Sequence, residues 1–346
     1  MRVLVVTSAA LFVRGGHMVI AEETVAALRR AGHEADLFVT PQNRFGRQVS
    51  AYLATWLSDV GLTADGQAID RVVSFRFPSY AVRHSHHVCW LNHRMREYYD
   101  LWEAFAARLT PLGRLKEGVR RQIFHFLDGR LLRRPGVRVV AQSRTIQSRL
   151  LRLGGIRSEV LYPPAPAFAY RTDGYGDYIF AISRLDPLKR LDLLVEAAAL
   201  VKHQGLRVKI AGSGPDEARL RGRVRELGIE DRVELLGKIP DDEMIDHLAR
   251  CRAVFFAPRD EDYGLVTLQA FRSGKAVVTA TDSGGPTELV EDGRNGYVAP
   301  PDPQAMAACL DRLAQDESLA STMGHQGLAD AQRHSWDSVV AELVRL

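Results

Sequence analysis

Two basic side chains stand where an apolar run changes to a helix pattern in the second half of the sequence. In AISRLDPLKRLDLLVEA, Arg184 directly follows the apolar run, and Lys189 comes five residues later as the helix pattern begins. Cations at a helix N-terminus oppose the helix dipole, so this placement suggests an anion that offsets them. A diphosphate suits the pair, because Arg offers a bidentate fork and Lys a point charge. Two surface charges beside a loop are the alternative.

An acid and an amide are spaced eight residues apart in RDEDYGLVTLQAF, residues 259–271. Glu261 precedes a Tyr-Gly turn, and Gln269 interrupts the apolar, helix-like run that follows. Gln269 is either an ordinary polar helix residue or part of a ligand site, and the spacing alone does not decide between them.

Three glycine-bearing loops each follow a predicted strand. They contain Gly15–Gly16, Gly212 with Gly214, and Gly284–Gly285. Glycine lets the backbone approach a ligand and aim N–H groups at an anion, although tight turns and ordinary helix starts need the same residues. In the second loop Glu217 occupies the third glycine position of a dinucleotide fingerprint. An acid there would repel a pyrophosphate, so we exclude a nicotinamide or flavin site.

These residues need a scaffold, and the length and composition indicate two globular domains. The chain has 346 residues, 46% of them apolar and 25% charged, and no apolar run approaches the roughly 20 residues that span a bilayer. The apolar stretch at the N-terminus is too short for a signal peptide and predicts a first strand. Cys89, Cys251 and Cys309 have no metal-ligand spacing, so we expect reduced thiols in a cytoplasmic protein.

Short apolar runs alternate with helix-period segments along the chain, which predicts an α/β fold with parallel sheets. The pattern breaks at LYPPAPAFAYRTDGYGDY, residues 161–178, which we interpret as an interdomain linker. We predict domains at 1–165 and 172–330, and a helix at 331–346 that could pack back toward the first domain. We also predict a helix at PTELVEDG, residues 286–293, and two last helices that run to Leu346. A ligand is expected in a cleft between the domains, at the carboxyl ends of the strands.

The net charge of +4 is unevenly distributed. The segment from Arg108 to Arg157 carries about 13 basic and 2 acidic side chains. These are either solvated helix faces or a basic surface that meets anionic lipid headgroups or a phosphorylated substrate. Basic and aromatic residues do not interleave as in nucleic-acid modules, so nucleic acid is not an expected partner.

Taken together, the ordered motifs resemble the retaining GT-B glycosyltransferases of family 4. ISRLDPLKRLDLLVEA is similar to the family's Arg-x4-Lys diphosphate motif, and the segment from Glu261 to Gly285 is similar to its Glu-x7-Glu motif and Gly-Gly loop. The likeness is thinner in the first half, where it covers Gly15–Gly16, CWLNHR and AQSRTIQSRLLRLGGIRSEVLYPP. The resemblance implies two Rossmann-like parallel-sheet domains that face each other across a cleft. The first would bind the acceptor and the second a nucleotide-sugar donor.

The resemblance also implies roles for individual residues. Arg184 and Lys189 would neutralise the departing diphosphate, and Glu261 would reach the donor sugar's hydroxyls. The amides of Gly264 and Leu265 would meet the sugar and phosphate at a helix N-terminus. The resemblance also implies contacts with the donor or the reaction centre for five further residues: Gly15, Gly16, His93, Gly212 and Gln269.

One of these positions departs from the family pattern, because the family's second Glu is Gln269 here. An amide accepts a hydrogen bond from a ribose hydroxyl more weakly than a carboxylate does. This departure leaves open a weak or inactive nucleotide-sugar-binding protein. A GT-B sugar-nucleotide epimerase is a further alternative, and it would act on the donor without an acceptor.

We predict no metal and no cofactor besides a UDP-, GDP- or ADP-sugar donor. Asp260-Glu261-Asp262 has the spacing of an Asp-x-Asp metal motif, but it precedes a glycine turn in a tandem α/β chain. The crowded His84, His86 and His87 lack further ligands for zinc. The acceptor could be a glycan, a lipid-linked sugar or a natural product, and peripheral contact with the inner face of a membrane could come from the basic first domain.

Overall fold

The computed structural model describes residues 1–12, 15–42 and 46–345. The chain forms two compact units, which are residues 1–163 with 335–346, and residues 164–334. We call them unit 1 and unit 2. Each contains one six-stranded sheet in which all neighbouring strands are parallel. The predicted α/β class with a parallel sheet in each half is confirmed.

The sheet of unit 1 has the order β2-β1-β3-β4-β5-β6. Its strands are β1 Arg2–Ala9, β2 Glu34–Pro41, β3 Arg71–Arg76, β4 His87–His93, β5 Val137–Ala141 and β6 Glu159–Val160. Its helices are α1 Gly16–Arg30, α2 Gln48–Leu57, α3 Trp102–Ala106, α4 Pro111–Leu132, α5 Arg144–Gly154 and α12 Trp336–Val344. Short 3-10 turns occupy Ser79–Ala81 and Arg96–Tyr98.

The sheet of unit 2 has the order β12-β11-β10-β7-β8-β9. Its strands are β7 Tyr178–Ile182, β8 Arg207–Ala211, β9 Val233–Gly237, β10 Ala253–Phe255, β11 Val277–Ala280 and β12 Gly296–Ala299. Its helices are α6 Leu191–Leu200, α7 Glu217–Glu226, α8 Asp241–Arg250, α9 Leu265–Arg272, α10 Pro303–Gln315 and α11 Glu317–Gln332. Short 3-10 turns occupy Pro187–Lys189 and Gly285–Glu288.

The strands are nearly continuous apolar runs because helices cover both faces of a parallel sheet. All residues of β3, β10 and β11 are buried. Two of the helices between the strands begin at side-chain caps. The Thr110 hydroxyl accepts a hydrogen bond from the Gly113 N–H before α4, and the Ser143 hydroxyl does so from the Ile146 N–H before α5. Strand ends and helix starts therefore gather at the carboxyl edge of each sheet.

Helix α12 returns to unit 1 after the whole of unit 2. The Trp336 ring packs edge-on against Trp90 of β4, with 6.4 Å between centroids. Arg71 of β3 donates a hydrogen bond to the Leu343 carbonyl at 3.1 Å, and Arg138 of β5 donates one to the Glu342 carbonyl at 2.7 Å. The buried Arg71 and the partly exposed Arg138 thus fix the end of the helix to unit 1.

Two helix predictions were wrong. The segment 286–293 forms only the 3-10 turn that ends at Glu288, because Asn295 takes up the next backbone groups. Its side chain accepts a hydrogen bond from the Glu291 N–H at 2.8 Å and donates one to the Leu289 carbonyl at 3.0 Å. After Pro303 the chain forms three helices instead of two, and Leu346 lies outside the described residues.

Candidate functional site

The chemistry-bearing loops of unit 2 follow neighbouring strands. Arg184 and Lys189 come after β7, Glu261 after β10, and Gly284 after β11. Since β7, β10 and β11 are adjacent and parallel, their carboxyl ends meet at one edge of the sheet. This is where α/β proteins bind ligands.

Lys189 and Glu261 form an ion pair at this edge. The Lys189 Nζ lies 2.6 Å from a carboxylate oxygen of Glu261, and each side chain is about one-fifth exposed, 21% and 20%. The ammonium also lies 5.7 Å from the centre of the Phe256 ring, within reach of a cation–π interaction. The structure thus brings together two of the predicted residues that are 72 positions apart in sequence.

Backbone contacts hold Lys189 in place. The Asp186 carboxylate accepts a hydrogen bond from the Leu188 N–H at 2.9 Å, and the Asp186 carbonyl accepts one from the Lys189 N–H at 2.9 Å. The Arg259 N–H donates to the Leu188 carbonyl at 2.7 Å. This last bond joins the loop after β7 to the loop that carries Glu261.

Arg184 is placed differently from Lys189. Its side chain is 68% exposed, and its ion-pair contact is a long one, 4.0 Å, with Asp186. The structure therefore does not bring the Arg184 guanidinium into the Lys189–Glu261 pair. Its role at a phosphate stays a prediction.

Arg190 is a residue that the sequence analysis missed. It is 8% exposed, and its backbone is left-handed, with φ of 49°. Its guanidinium donates to the Ala257 and Pro258 carbonyls at 2.9 and 2.8 Å and to both carboxylate oxygens of Asp282 at 2.9 and 2.7 Å. This single side chain fastens the loops after β10 and β11 to the start of α6. Its only sequence signal is a second basic residue beside Lys189.

The loop with Glu261 is bonded along the loop that follows β11. The Glu261 N–H donates to the Ser283 carbonyl at 2.8 Å, and the Gly285 N–H donates to the Glu261 carbonyl at 2.9 Å. Gly284 adopts φ 71° and ψ −121°, and a Cβ there would lie 2.6 Å from the Glu261 carbonyl oxygen. Only glycine suits this conformation and this approach. The Gly-Gly pair is needed to place Glu261, whether or not it also meets a ligand.

Helix α9 begins at Gly264, directly after the Glu261 loop. Gly264 has φ of 89°, and a Cβ there would lie 2.8 Å from Pro286 and 3.0 Å from the Phe256 ring. Leu265 is the first helical residue. The first N–H groups of a helix have no partner within it and carry partial positive charge. The α9 N-terminus thus lies against the Phe256 ring, whose centre is 5.7 Å from the Lys189 ammonium.

Gln269 is turned into the protein. The residue is 7% exposed, and its Nε2 lies 3.9 Å from the Met244 sulfur on α8. This contact is that of a polar residue packed between two helices. Its role at a nucleotide ribose remains a prediction.

Gly212 and Gly214 make close backbone contacts of their own. The Gly212 N–H donates to the Gly237 carbonyl at 2.7 Å, and a Cβ on Gly212 would overlap the Ser183 carbonyl. A Cβ on Gly214 would overlap the Leu185 carbonyl. These glycines let the loops after β7 and β8 lie against each other, and the Gly212 N–H is already bonded. A donor contact at Gly212 stays a prediction.

Unit 1 gathers a second polar group at the carboxyl edge of its own sheet. Gly15 and Gly16 open α1 after β1, Arg76 ends β3 and His93 ends β4. Arg76 is 9% exposed, and its Nη1 lies 2.9 Å from the Nδ1 of His17. Arg76 and His17 were not identified from the sequence, although both adjoin predicted elements. The His93 ring donates through Nδ1 to the Arg94 carbonyl at 2.6 Å.

The protonation of His17 follows from its neighbours. A guanidinium only donates, so the His17 Nδ1 must accept the bond from Arg76. Burial and the charges of Arg76 and His93 lower the pKa of His17 to about 3, against a smaller opposing effect of the Ser8 backbone. The imidazole is therefore neutral near pH 7. This neutral ring lies beside the permanent positive charge of Arg76.

The crowded histidines of unit 1 are occupied by structural contacts. His87 is buried, with its Nε2 2.7 Å from the Ser74 hydroxyl and its Nδ1 2.9 Å from an Arg134 nitrogen. His84 bonds the Ile69 carbonyl at 2.9 Å. Within 1–12, 15–42 and 46–345, no cluster of three or more His, Cys, Asp or Glu is arranged to hold a metal ion. In the same ranges no helix is long and apolar enough to cross a membrane.

Burial makes Cys89 and Cys251 poor nucleophiles in this structure. Cys89 and Cys251 are fully buried, and burial raises the pKa of each thiol to about 12. All three cysteines are free. A thiol with such a pKa stays protonated at neutral pH and is a poor nucleophile.

Residues 168–329 match the profile of the family described as Glycosyl transferases group 1. An exopolysaccharide phosphotransferase of Streptomyces coelicolor is 35% identical over 188 residues, which are 51% of this chain and 20% of that protein. A D-inositol 3-phosphate glycosyltransferase of Acidothermus cellulolyticus is 31% identical over 202 residues, which are 54% of this chain and 44% of that protein. The matched part thus spans less than half the length of these relatives.

The solved structure of HepE from Anabaena in complex with UDP-glucose is similar over the whole chain. Its TM-score is 0.71 at 19% identity, and the match covers 98% of each chain. At this identity the likeness concerns the fold. It confirms the predicted GT-B fold, with its two parallel sheets.

Proposed function

We propose that this protein is a retaining glycosyltransferase of family 4, because residues 168–329 match the profile of the family described as Glycosyl transferases group 1. It would move a sugar from a nucleoside-diphosphate donor to an acceptor hydroxyl. The observation that carries the proposal is the Lys189–Glu261 ion pair, 2.6 Å long, at the carboxyl edge of the unit 2 sheet. A nucleotide sugar offers a partner to each member of this pair.

The donor would divide the ion pair between its two parts. The diphosphate of a UDP-, GDP- or ADP-sugar takes the Lys189 ammonium, with the amides at the start of α9 and the exposed Arg184 as further donors. Glu261 is then free to accept hydrogen bonds from the sugar's hydroxyl groups. In this exchange the protein replaces one ion pair with a set of contacts that specify both phosphate and sugar. The backbone of Gly212, Gly264 and Leu265 would line this donor site.

The transfer step breaks the bond between the anomeric carbon and the diphosphate oxygen. The acceptor oxygen forms its bond on the same face of the sugar, and its proton passes to the departing phosphate oxygen. This front-face route retains the anomeric configuration. The protein's contribution is electrostatic, because Lys189, Arg184 and the α9 amides stabilise the negative charge that develops on the leaving group.

We assign the acceptor to unit 1. Gly15 and Gly16 at the start of α1, and His93 at the end of β4, keep the roles at the donor and the reaction centre that the resemblance implies for them. Arg76 and the neutral His17 belong to the same group, and they favour an acceptor with a negative charge or many hydroxyls.

A nucleotide-sugar-binding protein without turnover is the second candidate. The observation that favours it is Gln269, whose amide packs against Met244 instead of presenting a carboxylate to a ribose. An epimerase has no comparable support in the described residues, but the same assay tests it.

A thermal-shift screen against UDP-, GDP- and ADP-sugars and the free nucleotides tests donor binding. A matching donor at about 100 times its dissociation constant should stabilise the protein by about 2.7 kcal/mol. The bound donor is then incubated alone and with a panel of hydroxyl acceptors, and the anomeric configuration of the product is read by NMR. Product only with acceptor supports the transferase, and change of the donor alone supports an epimerase. Binding without turnover supports the second candidate, and no binding at millimolar donor excludes all three.

A further inference from the structure

Helix α4 carries an exposed apolar face. It consists of Leu112, Leu115, Val119, Ile123 and Phe126, all of them half or more exposed, with Leu115 and Phe126 at 67%. Their spacings of three, four, four and three residues place them on one side of the helix. We call this set the α4 face. An apolar stripe of this length on a helix usually faces another molecule.

The charges on and around the α4 face are of one sign. Lys116 and Arg130 are exposed, and each lies four residues after a member of the face, so both are on the same side of the helix. The two acids of α4 are withdrawn from solvent. Glu117 is 8% exposed and bonds Tyr98 and Arg120, while Asp128 is 1% exposed.

Asp128 is held inside by a dedicated set of partners. Its carboxylate accepts hydrogen bonds from the hydroxyls of Tyr52, Tyr80 and Tyr99, at 2.9, 2.8 and 2.7 Å. These bonds fix one side of α4 to α2 and to the chain around β3 and β4. The opposite side of the helix consequently shows solvent apolar, basic and neutral polar side chains, with Gln122 among them, but no acid within residues 111–132.

An apolar groove adjoins α4 on the side of α2. It has a volume of about 770 Å³ and is lined by Leu53 and Trp56 of α2 and by Leu127 and Leu131 of α4. The Arg83 guanidinium lies 4.9 Å from the centre of the Trp56 ring. The basic side chains Arg130 and Arg134 also line the groove.

We propose that the α4 face and this groove form the surface by which the protein docks on an anionic lipid bilayer. Apolar side chains beside cations that keep their charge in water are the arrangement of an interfacial helix, whose apolar side enters the boundary between headgroups and acyl chains. Lys116, Arg130 and Arg83 would meet lipid phosphates. A second copy of the chain fits less well, because it would set the same basic charges against each other.

Vesicle flotation with the full chain tests this surface. The vesicles are phosphatidylcholine alone, or phosphatidylcholine with one-third phosphatidylglycerol, at low and at high salt. We expect the protein to float with the anionic vesicles, to dissociate as salt rises, and to stay unbound with phosphatidylcholine. Leu115→Glu and the double variant Lys116→Glu/Arg130→Glu should each reduce binding at least tenfold.

Matched controls separate this surface from a general effect of charge. Leu200→Glu changes an exposed leucine in unit 2, and Arg207→Glu/Arg225→Glu reverses two exposed basic residues there. Both control variants should bind like the unchanged chain, and circular dichroism should show all variants folded. Equal loss in the controls, equal binding to neutral vesicles, or no flotation at all would overturn the proposal. So would a dimer in sedimentation velocity that Leu115→Glu dissociates.

This inference goes beyond the proposed transferase and does not depend on it. Sugar-nucleotide binding, measured on the same variants, should be unchanged, because none of the substituted residues is proposed to contact the donor, and Lys189 and Glu261 belong to unit 2. Normal donor binding by the unchanged chain, without flotation on anionic vesicles, refutes the docking surface alone. Absent donor binding with normal flotation refutes the transferase alone.

Discussion

The ammonium group of Lys189 and the carboxylate of Glu261 neutralise each other across 2.6 Å, although one follows β7 and the other follows β10. Each is partly buried and directed to the other by backbone bonds that join their two loops. A ligand that separates them must supply an anion to the first and hydrogen-bond donors to the second. The pair thereby sets a chemical requirement for whatever binds there.

Replacing Lys189 with Ala should lower kcat by about 10²–10³-fold, the usual effect of losing one group that stabilises a developing anion. The fold should be kept, because the backbone bonds of residue 189 do not involve its side chain. The measurement is steady-state transfer with the donor found in the screen. Lys202→Ala is the matched control, since Lys202 is exposed at the far end of α6. An unchanged kcat in Lys189→Ala would remove this residue from the mechanism.

Glu261→Gln should separate two properties of the donor site. The amide no longer holds the Lys189 ammonium as a counter-ion, so the free nucleoside diphosphate should bind more tightly, by roughly threefold to tenfold. Transfer should fall, because a carboxylate accepts hydrogen bonds from sugar hydroxyls more strongly than an amide does. Calorimetric titration with the diphosphate and a transfer assay measure the two effects. Weaker binding of the diphosphate would contradict the exchange of partners.

Arg190→Lys should destabilise unit 2 by about 2 kcal/mol, because a lysine cannot reproduce the hydrogen bonds of the buried guanidinium to Asp282 and two carbonyls. Donor affinity should fall as well, since the loops that place Glu261 lose their common anchor. Urea unfolding followed by circular dichroism and a donor titration are the measurements. Arg259→Lys, at an exposed site two residues before Glu261, should leave both values nearly unchanged.

Gly284→Ala should cost more stability than Gly293→Ala, although both glycines have positive φ, 71° and 75°. At Gly293 a Cβ meets nothing within 4 Å, so only the backbone strain of about 1 kcal/mol remains. At Gly284 the Cβ would lie 2.6 Å from the Glu261 carbonyl, so we expect about 3 kcal/mol or more in total. Denaturant unfolding measures the difference. Equal costs would mean that the Glu261 loop moves aside freely.

The stability of unit 1 should fall with acid through His87. Burial and Arg134 lower the pKa of His87 to about 3, whereas in the unfolded chain it is 6.5. Between these values only the unfolded chain binds the proton, so stability is present above pH 6.5 and is lost as pH falls toward 3. The slope is about 1.4 kcal/mol per pH unit for this group.

His87→Gln provides the test. Its destabilisation relative to the unchanged chain should be largest at pH 7 and shrink as pH falls to 4. Tryptophan fluorescence follows unit 1 selectively, because Trp56, Trp90, Trp102 and Trp336 all belong to it. A difference that does not vary with pH would show that His87 titrates alike in the folded and unfolded chain.

Much of the fold follows from the sequence because its signals are local. Short runs such as RVVSFRF, residues 71–77, and AVVTAT, residues 276–281, predict strands, and the structure has fully buried strands at Arg71–Arg76 and Val277–Ala280. The helix predicted at 286–293 failed because Asn295, beyond its end, bonds the backbone on which that helix depended. A side chain outside a segment can change its backbone hydrogen bonds, but it does not change the hydrophobic periodicity from which the helix is predicted.

In the candidate site, too, local motifs were predicted from the sequence and long-range contacts were not. Lys189 and Glu261 stand in recognisable motifs, and the structure brings them together. Arg190 does not stand out, because its partners are carbonyls and a carboxylate 67 to 92 residues away, and its backbone is left-handed. His17 and Arg76 are likewise joined only by the parallel order of β1 and β3. Such contacts depend on topology, which a pattern of residue types does not contain.

The return of α12 to unit 1 has a consequence for biosynthesis. Residues 1–163 leave the ribosome long before residues 336–344, and all of unit 2 is translated in between. Until then Trp90 lacks Trp336, and Arg71 and Arg138 lack the carbonyls that they bond in the finished chain. Unit 1 is therefore completed last, although most of it is synthesised first. A nascent chain halted before residue 335 contains all of unit 2, whereas its unit 1 still lacks α12.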